Sequence, residues 1–208
     1  YKDSNKSDIT VKELLSGHAS LQAWIPFYKM TLDKENKPSS KYYSFKKNNI
    51  YSVKVAPDLY IRADYKDTIR NIIKESDLLK SKYKYSDLSY LIIQEYIESY
   101  YNKNLEMIIN KLMFEKLGID LKYNPFSKNS TYNIAPTEID EYFRYKEING
   151  YVHDMAAAML GGISSHAGLF GNAINVAKVM QMYIQDGNYA NKQIIKPGTI
   201  NLFNNCYY

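Results

Sequence analysis

Apolar side chains recur every three to four residues in four stretches of this chain, and each stretch predicts an amphipathic helix. Ile69, Ile72 and Ile73 mark the first. Leu88, Leu91, Ile92, Ile93, Tyr96, Ile97 and Tyr100 mark the second, which starts at Ser86 or Asp87. Leu105, Ile108, Ile109, Leu112 and Met113 give the third, closed by Gly118. Val176, Val179, Met180, Tyr183 and Ile184 give the fourth, ended by Gly187. Shorter helices are expected where Thr10 and Glu13 form a capping box that stops at Gly17, and where Asp154 caps Met155 to Leu160 before Gly161-Gly162. Pro197 suits the first turn of a last helix carrying Ile200, Leu202 and Phe203.

Period-two alternation is confined to Val53, Val55, Leu59 and Ile61 around Ala56-Pro57-Asp58, which predicts two short strands and a turn. An apolar segment from Leu21 to Tyr28 is broken by Pro26. Residues 33 to 49 are rich in Lys, Asn and Ser and read as a loop or mobile insertion. Residues 122 to 150 read as irregular. There is no internal repeat. The chain is therefore expected to be mainly α, with a few short strands.

Composition narrows the function classes. The 208 residues suffice for one sizeable domain or two small ones. The net charge is +5, but only three of the 27 basic residues are Arg, and the Lys residues are scattered. A nucleic-acid binder would bring Arg for bidentate contacts, so no nucleic-acid partner is expected. No apolar run approaches the roughly 20 residues of a membrane helix. The single Cys206 rules out an internal disulfide, and the polar Tyr1-Lys2-Asp3-Ser4 is not a signal peptide. The first residue is not Met, and no closing element follows Asn204, so an excerpt of a longer protein is expected.

Candidate chemistry concentrates at Tyr83 to Tyr90, which opens the best-patterned helix. Tyr85, Ser86 and Asp87 stand at its entrance, where free N–H groups and a partial positive charge favour polar chemistry. No two of His18, His153 and His166 have the i, i+4 spacing of a helical zinc site. His153-Asp154 is a possible ligand pair but reads better as a loop-to-helix cap, so neither metal nor cofactor is expected. Cys206 stands at a chain end, remote from any His, and is a poor nucleophile. The glycine-dense run Gly161 to Gly171 lacks the Gly-Lys-Ser/Thr of a phosphate loop. It suits equally a buried turn between helices and a loop lining a cleft. Ser44-x-x-Lys47 and Ser81-x-x-Lys84 match a Ser–Lys nucleophile pattern, but two matches are about what chance gives at this Ser and Lys content.

Five segments in order resemble one family: Thr10 to Leu21, Tyr85-Ser86-Asp87-Leu88, Ile134-Ala135-Pro136-Thr137-Glu138, Gly150-Tyr151-Val152-His153-Asp154 and Gly161 to Phe170. Together they look like the serine beta-lactamase-like hydrolases, which include penicillin-binding proteins, class C beta-lactamases and related esterases. The likeness is strongest to beta-lactamase domains of Bacteroidetes-type bacteria, some fused to family 3 glycoside hydrolase domains. The resemblance implies an α+β parent with a helical lobe beside an antiparallel sheet. It makes residues 1–208 the central part of one such domain, with both ends of the domain outside the chain.

The resemblance also implies roles. Tyr85-Ser86-Asp87 matches the family's Tyr-x-Asn motif, making Tyr85 and Asp87 catalytic and Ser86 substrate-binding. Tyr85 would relay protons, which requires cations because a phenol ionises only near pH 10. The family draws them from a Ser-x-x-Lys and a Lys/His-Thr-Gly motif, and neither is in this chain. His166-Ala167-Gly168 mimics the latter but follows no strand and is not taken as that motif. Ser20 stands where a turn glycine is usual, at a strain cost of about 1 kcal/mol if φ is positive there.

The implied function is acyl transfer through an acyl-enzyme in the complete parent, on a peptide, beta-lactam or ester, in the periplasm or cell envelope. This chain alone is expected to be inactive. The remaining segments of its own domain, and in some relatives a fused glycoside hydrolase, are its implied partners. The alternative is a non-catalytic interaction module on the same scaffold within an envelope assembly. The roles of His153 and His166 stay open.

Overall fold

The architecture is that of a computed structural model, which describes residues 1–80, 83–128 and 133–206. Eight α-helices lie among the described residues: α1 (Val11–Ser16), α2 (Tyr65–Glu75), α3 (Asp87–Tyr101), α4 (Leu105–Ile109), α5 (Glu115–Leu117), α6 (Met155–Met159), α7 (Ala173–Ile184) and α8 (Thr199–Phe203). A π-helical stretch, Asn110–Phe114, joins α4 to α5. Strands β1 (Tyr43–Ser44), β2 (Tyr51–Ala56) and β3 (Leu59–Arg62) form an antiparallel sheet in the order β1-β3-β2. Three two-stranded pieces accompany it. They are β4 (Lys122–Tyr123) with β7 (Leu169–Phe170), β5 (Glu138–Asp140) with β6 (Lys146–Ile148), and β8 (Asn188–Tyr189) with β9 (Lys192–Gln193).

The boundaries follow the local chemistry. Thr10 caps α1 while Glu13 reaches back to its amide at 2.8 Å, and Gly17 ends the helix at φ 75°. Gly118 ends α5 in the same left-handed conformation. Asp154 caps α6 through the Ala157 amide at 2.7 Å. The last helix differs from expectation. Pro197 precedes its N-cap, Gly198, because Gly198 is left-handed at φ 77° and helical geometry begins only at Thr199.

Two expected irregular regions are structured. The segment 33–49 holds β1, whose Tyr43 pairs with Ile61 of β3 and is buried. The Tyr43 phenol meets the Thr31 hydroxyl at 2.7 Å, and Asp33 Oδ1 accepts from the Glu35 and Lys37 amides at 2.9 Å each. These contacts fix a segment whose composition alone suggested mobility. The region 122–150 contains β4, β5 and β6, with strands too short to show periodicity.

One core joins α1, the segment 19–28, the three-stranded sheet, α2 and α3 to Phe143, Ile148, Val152 and α6. Phe143 packs on Tyr28 at 5.3 Å and Tyr43 at 5.9 Å between ring centroids. Beside Phe143 lies a charged knot. Arg144 and Asp140 have fully buried side chains. The Arg144 guanidinium donates to Asp140 Oδ2 at 2.6 Å, Glu138 Oε1 at 2.8 Å, the Val152 carbonyl at 2.7 Å and the His153 carbonyl at 2.9 Å. It thereby ties the β5–β6 hairpin to the chain entering α6.

Burial alone would raise the Asp140 pKa, but hydrogen bonds from Arg144 and the Phe143 and Tyr142 amides leave it below the usual carboxylate value. Its stabilising effect is therefore present above the unfolded pKa of about 3.9 and lost as pH falls through the folded value. Arg144→Ala is expected to lower the free energy of unfolding by about 3–5 kcal/mol, since it strands a buried carboxylate. Urea denaturation at pH 7 measures this, and a change of under about 1 kcal/mol would contradict the clamp. The deficit of the variant is expected to shrink as pH falls, because the uncompensated Asp140 carboxyl takes up a proton at higher pH and then no longer buries a charge.

Ser20 has φ 55°, the left-handed conformation that the turn was expected to impose. Ser20→Gly is expected to raise stability by about 1 kcal/mol, read as a higher urea midpoint at unchanged slope.

Candidate functional site

The entrance of α3 is built against the turn that follows α1. The Lys84 amide donates to the Gly17 carbonyl at 2.7 Å, and the Asp87 amide donates to the Ala23 carbonyl at 2.9 Å. A Cβ at Gly17 would come within 2.9 Å of the Tyr83 ring, so close approach as well as positive φ requires glycine there. Ser86 is the N-cap of α3, yet its hydroxyl does not cap the helix. It donates to the Gln22 carbonyl at 2.6 Å, and the residue is buried. This geometry gives Ser86 an anchoring place in the scaffold instead of the expected face toward substrate.

Tyr85 is 56% exposed at the helix mouth. Its ring lies 6.1 Å from that of Tyr90, and the Asp87 carboxylate is the charge that acts most strongly on its phenol. Partial burial of the phenol, then the charges of Asp87 and Asp154, hold its pKa above the ordinary value of 10. In this environment Tyr85 is a neutral phenol near pH 7. Serving as a base would need positive charge brought to it.

Two residues that sequence reasoning left outside the site, Asp154 and His166, stand beside it. The run Ile163 to His166 is clipped to α3. Gln94 Nε2 donates to the Ile163 carbonyl at 3.2 Å, the Ser165 amide donates to Gln94 Oε1 at 2.9 Å, and the Ser165 hydroxyl donates to the Tyr90 carbonyl at 2.6 Å. This clip brings the His166 ring to Asp154, with Nε2 2.9 Å from Oδ1 and the side chain only 3% exposed. His166 Nδ1 lies 2.8 Å from the Ser164 hydroxyl. Asp87, Asp154 and His166 each offer a ligand atom within 4.8 Å of the others. Burial alone would raise the Asp154 pKa, but hydrogen bonds from His166 and the Ala157 amide leave it below the carboxylate norm.

The loop-to-helix cap read at His153-Asp154 is made by Asp154 alone. His153 turns outward to Glu138, with Nδ1 3.0 Å from Oε1, while Asp154 meets His166. Ser164, His166 and Asp154 mimic a nucleophile–base–acid row, but Ser164 is 1% exposed and cannot meet a substrate. The glycine-rich run combines its two expected uses: it is a packed turn between α6 and α3, and it carries His166 to the site. Of the two Ser-x-x-Lys matches, Ser44 donates to the Lys46 carbonyl at 2.8 Å, and Ser81 lies outside the described residues. No signal in spacing links Asp87 to residues 154 and 166; only the folded chain joins them.

The cleft beside Asp87 and Asp154 holds only about 20 Å³ and is walled by Trp24, Phe27, Tyr28 and Met155. A larger and apolar cavity of about 850 Å³ lies between α1 and α8, lined by Val11, Leu15, His18, Tyr83, Leu202 and Phe203.

No family model matches the chain. It is 31% identical over 136 residues to a protein of Escherichia coli K12 named as a candidate D-alanyl-D-alanine carboxypeptidase, covering 59% of this chain and 31% of that protein. A Salmonella gallinarum protein of the same name is 32% identical over 154 residues, covering 66% of this chain and 36% of that protein. The chain thus spans about a third of the length of these curated relatives. In fold it resembles an octameric penicillin-binding protein homologue from Pyrococcus abyssi, with TM-score 0.56, 18% identity, and coverage of 93% of this chain and 37% of that chain. It also resembles a candidate beta-lactamase from Bacteroides dorei, with TM-score 0.50, 17% identity, and coverage of 93% and 42%. A third likeness is to EstCE1, a hydrolase with promiscuous acyltransferase activity, with TM-score 0.50, 17% identity, and coverage of 93% and 49%.

Removing the ring of His166 leaves Asp154 half-enclosed without its main donor. In His166→Ala the Asp154 carboxyl is expected to titrate at least about one pH unit higher than in the parent chain. Carboxyl 13C chemical shifts followed between pH 2 and 7 test this, and an unmoved midpoint would show that burial and the Ala157 amide alone set it.

Proposed function

We propose, for a chain that belongs to the beta-lactamase-like family of serine hydrolases, that it forms the cleft-lining part of an acyl-transfer site with Tyr85 as its proton-transfer group. The observation that carries this reading is the exposure of the Tyr85 phenol at the mouth of α3, with Asp87 beside it and the backbone behind it pinned at three points. In the complete parent a serine attacks an amide or ester carbonyl, an acyl-enzyme forms, and water releases the acid. Tyr85 passes the proton between serine and leaving group, and Asp87 orients the amine or the substrate.

The cations that make a phenol basic then come from polypeptide outside these 208 residues. The apolar side chains of Val11, Leu15, Leu202 and Phe203, all exposed around the large cavity, support a face that further segments of the same domain cover. The substrate class in this reading is a peptide, beta-lactam or simple ester, and the setting is the periplasm or cell envelope. The names of the carboxypeptidase-like relatives support both. No helix among the described residues is long and apolar enough to cross a membrane.

Labelling of the full-length protein by a fluorophosphonate or penicillin probe tests the reading. A covalent adduct whose rate falls about 10²–10⁴-fold in Tyr85→Phe, at unchanged melting temperature, is expected. A parent that forms no adduct with any acylating probe is instead a scaffold. Equal labelling of Tyr85→Phe would remove Tyr85 from the mechanism.

A further inference from the structure

We propose that Asp87, Asp154 and His166 form a binding site for a divalent transition-metal cation of the zinc type. The three donors come from three separate parts of the chain: the first turn of α3, the N-cap of α6 and the loop before β7. Their ligand atoms lie within 4.8 Å of one another. Donors around a tetrahedral zinc stand about 3.4 Å apart, so the widest separation closes by at most roughly 1.4 Å while the Asp154–His166 pair, now at 2.9 Å, opens by about 0.5 Å. Rotation of Asp87, at the exposed end of its helix, supplies that closure, while Asp154 keeps its place as the cap of α6. The adjoining cleft of about 20 Å³, lined by Asp87 and Asp154 among mostly apolar side chains and not by His166, accommodates one ion or one water and nothing larger.

Charge and ring orientation point the same way. Two carboxylates face one small cleft, and among the described residues no Lys or Arg pairs with either. The charged and titratable neighbours are His166 and His153 toward Asp154, and Tyr85 toward Asp87. The imidazole distinguishes a metal from an organic ammonium. An ammonium only donates hydrogen bonds and gains nothing from a second donor, whereas a metal takes the nitrogen lone pair. His166 is held for that exchange by Ser164. In the metal-free ring Nε2–H donates to Asp154 and Nδ1 accepts from the Ser164 hydroxyl. On metal binding the ring keeps one proton, now on Nδ1, which donates to Ser164 Oγ, and Nε2 becomes the ligand. One imidazole with two carboxylates suits zinc or manganese better than a thiol-seeking metal. Three protein ligands leave a fourth coordination position for a water. The inference does not depend on the hydrolase reading, and its test needs no turnover.

Isothermal titration of ZnCl2 into the chain measures the site, in a His18→Asn/Cys206→Ser background that removes the His and Cys of the large cavity as competing ligands. Saturable 1:1 binding with micromolar or tighter affinity is expected. NMR should show shifts at the His166 ring and none at His153. His166→Gln and Asp87→Asn are each expected to weaken binding at least about 100-fold, and Ser164→Ala by about 10–100-fold. Asp87→Asn keeps the test valid should the more buried His166 variant fail to fold. Absence of saturable zinc or manganese binding below 1 mM, on the order of no useful affinity, would overturn the proposal. So would binding that Asp87→Asn and His166→Gln leave unchanged.

Discussion

The buried Arg144 guanidinium is the constraint on which the rest of the structure turns. A planar cation with five donors satisfies two carboxylates and two carbonyls at once, which a lysine could not do. Enclosing that charge is costly unless each donor is met, and the partners come from β5 of the β5–β6 hairpin and from residues 152 and 153. The hairpin has only three paired positions and little core of its own. The cation therefore fixes where Asp154 starts α6, and through Asp154 where the His166 ring rests.

A second anchor works from the opposite side of the cleft. Ser86 and the Asp87 amide bind the chain between Gln22 and Ala23, and Lys84 binds at Gly17. The turn between them bends through left-handed Gly17 and left-handed Ser20, whose strain is tolerated because hydrogen bonds and core packing of Ala19 and Leu21 surround it. The third tie is Gln94, which clasps the Ile163–Ser165 backbone on both its donor and acceptor sides. Three independent devices thus converge on one short edge of α3. A side chain held from three directions loses little further freedom on binding, which is what positioned chemistry needs.

Most helices were legible because their signals are local: caps at Thr10 and Asp154, glycine stops at Gly17, Gly118 and Gly187, and 3.6-residue periodicity in between. The β2–β3 hairpin was legible for the same reason. What escaped was non-local. Tyr43 reads as one more tyrosine in a polar stretch until Thr31 and Ile61 are placed beside it. The knot around Arg144 reads as ordinary surface charge until its partners are folded over it. At the candidate site, Tyr85-Ser86-Asp87 stands at the entrance of α3 as its position in the sequence implied, with Ser86 buried against the Gln22 carbonyl, and His166 was set aside because it follows no strand. Its importance comes from a partner twelve residues earlier in a turn whose shape the glycines permit, and residue spacing carries no trace of that.

The electrostatic sign of this edge links its parts. Tyr85 is acted on by the carboxylates of Asp87 and Asp154, so the chain as it stands favours the phenol over the phenolate. A site that needs a phenolate must import positive charge, and a site that needs a phenol as donor must not. Both a lysine from further polypeptide and a bound metal answer the first need, and they compete for the same carboxylates. Asp87 is reachable by either, since it sits at the open end of α3. Asp154 and the ring of His166 lie deeper, enclosed between α6 and α3, and their three-atom geometry suits a compact ion better than a long flexible side chain. The depth of each carboxylate, more than its identity, therefore decides which cation it can serve.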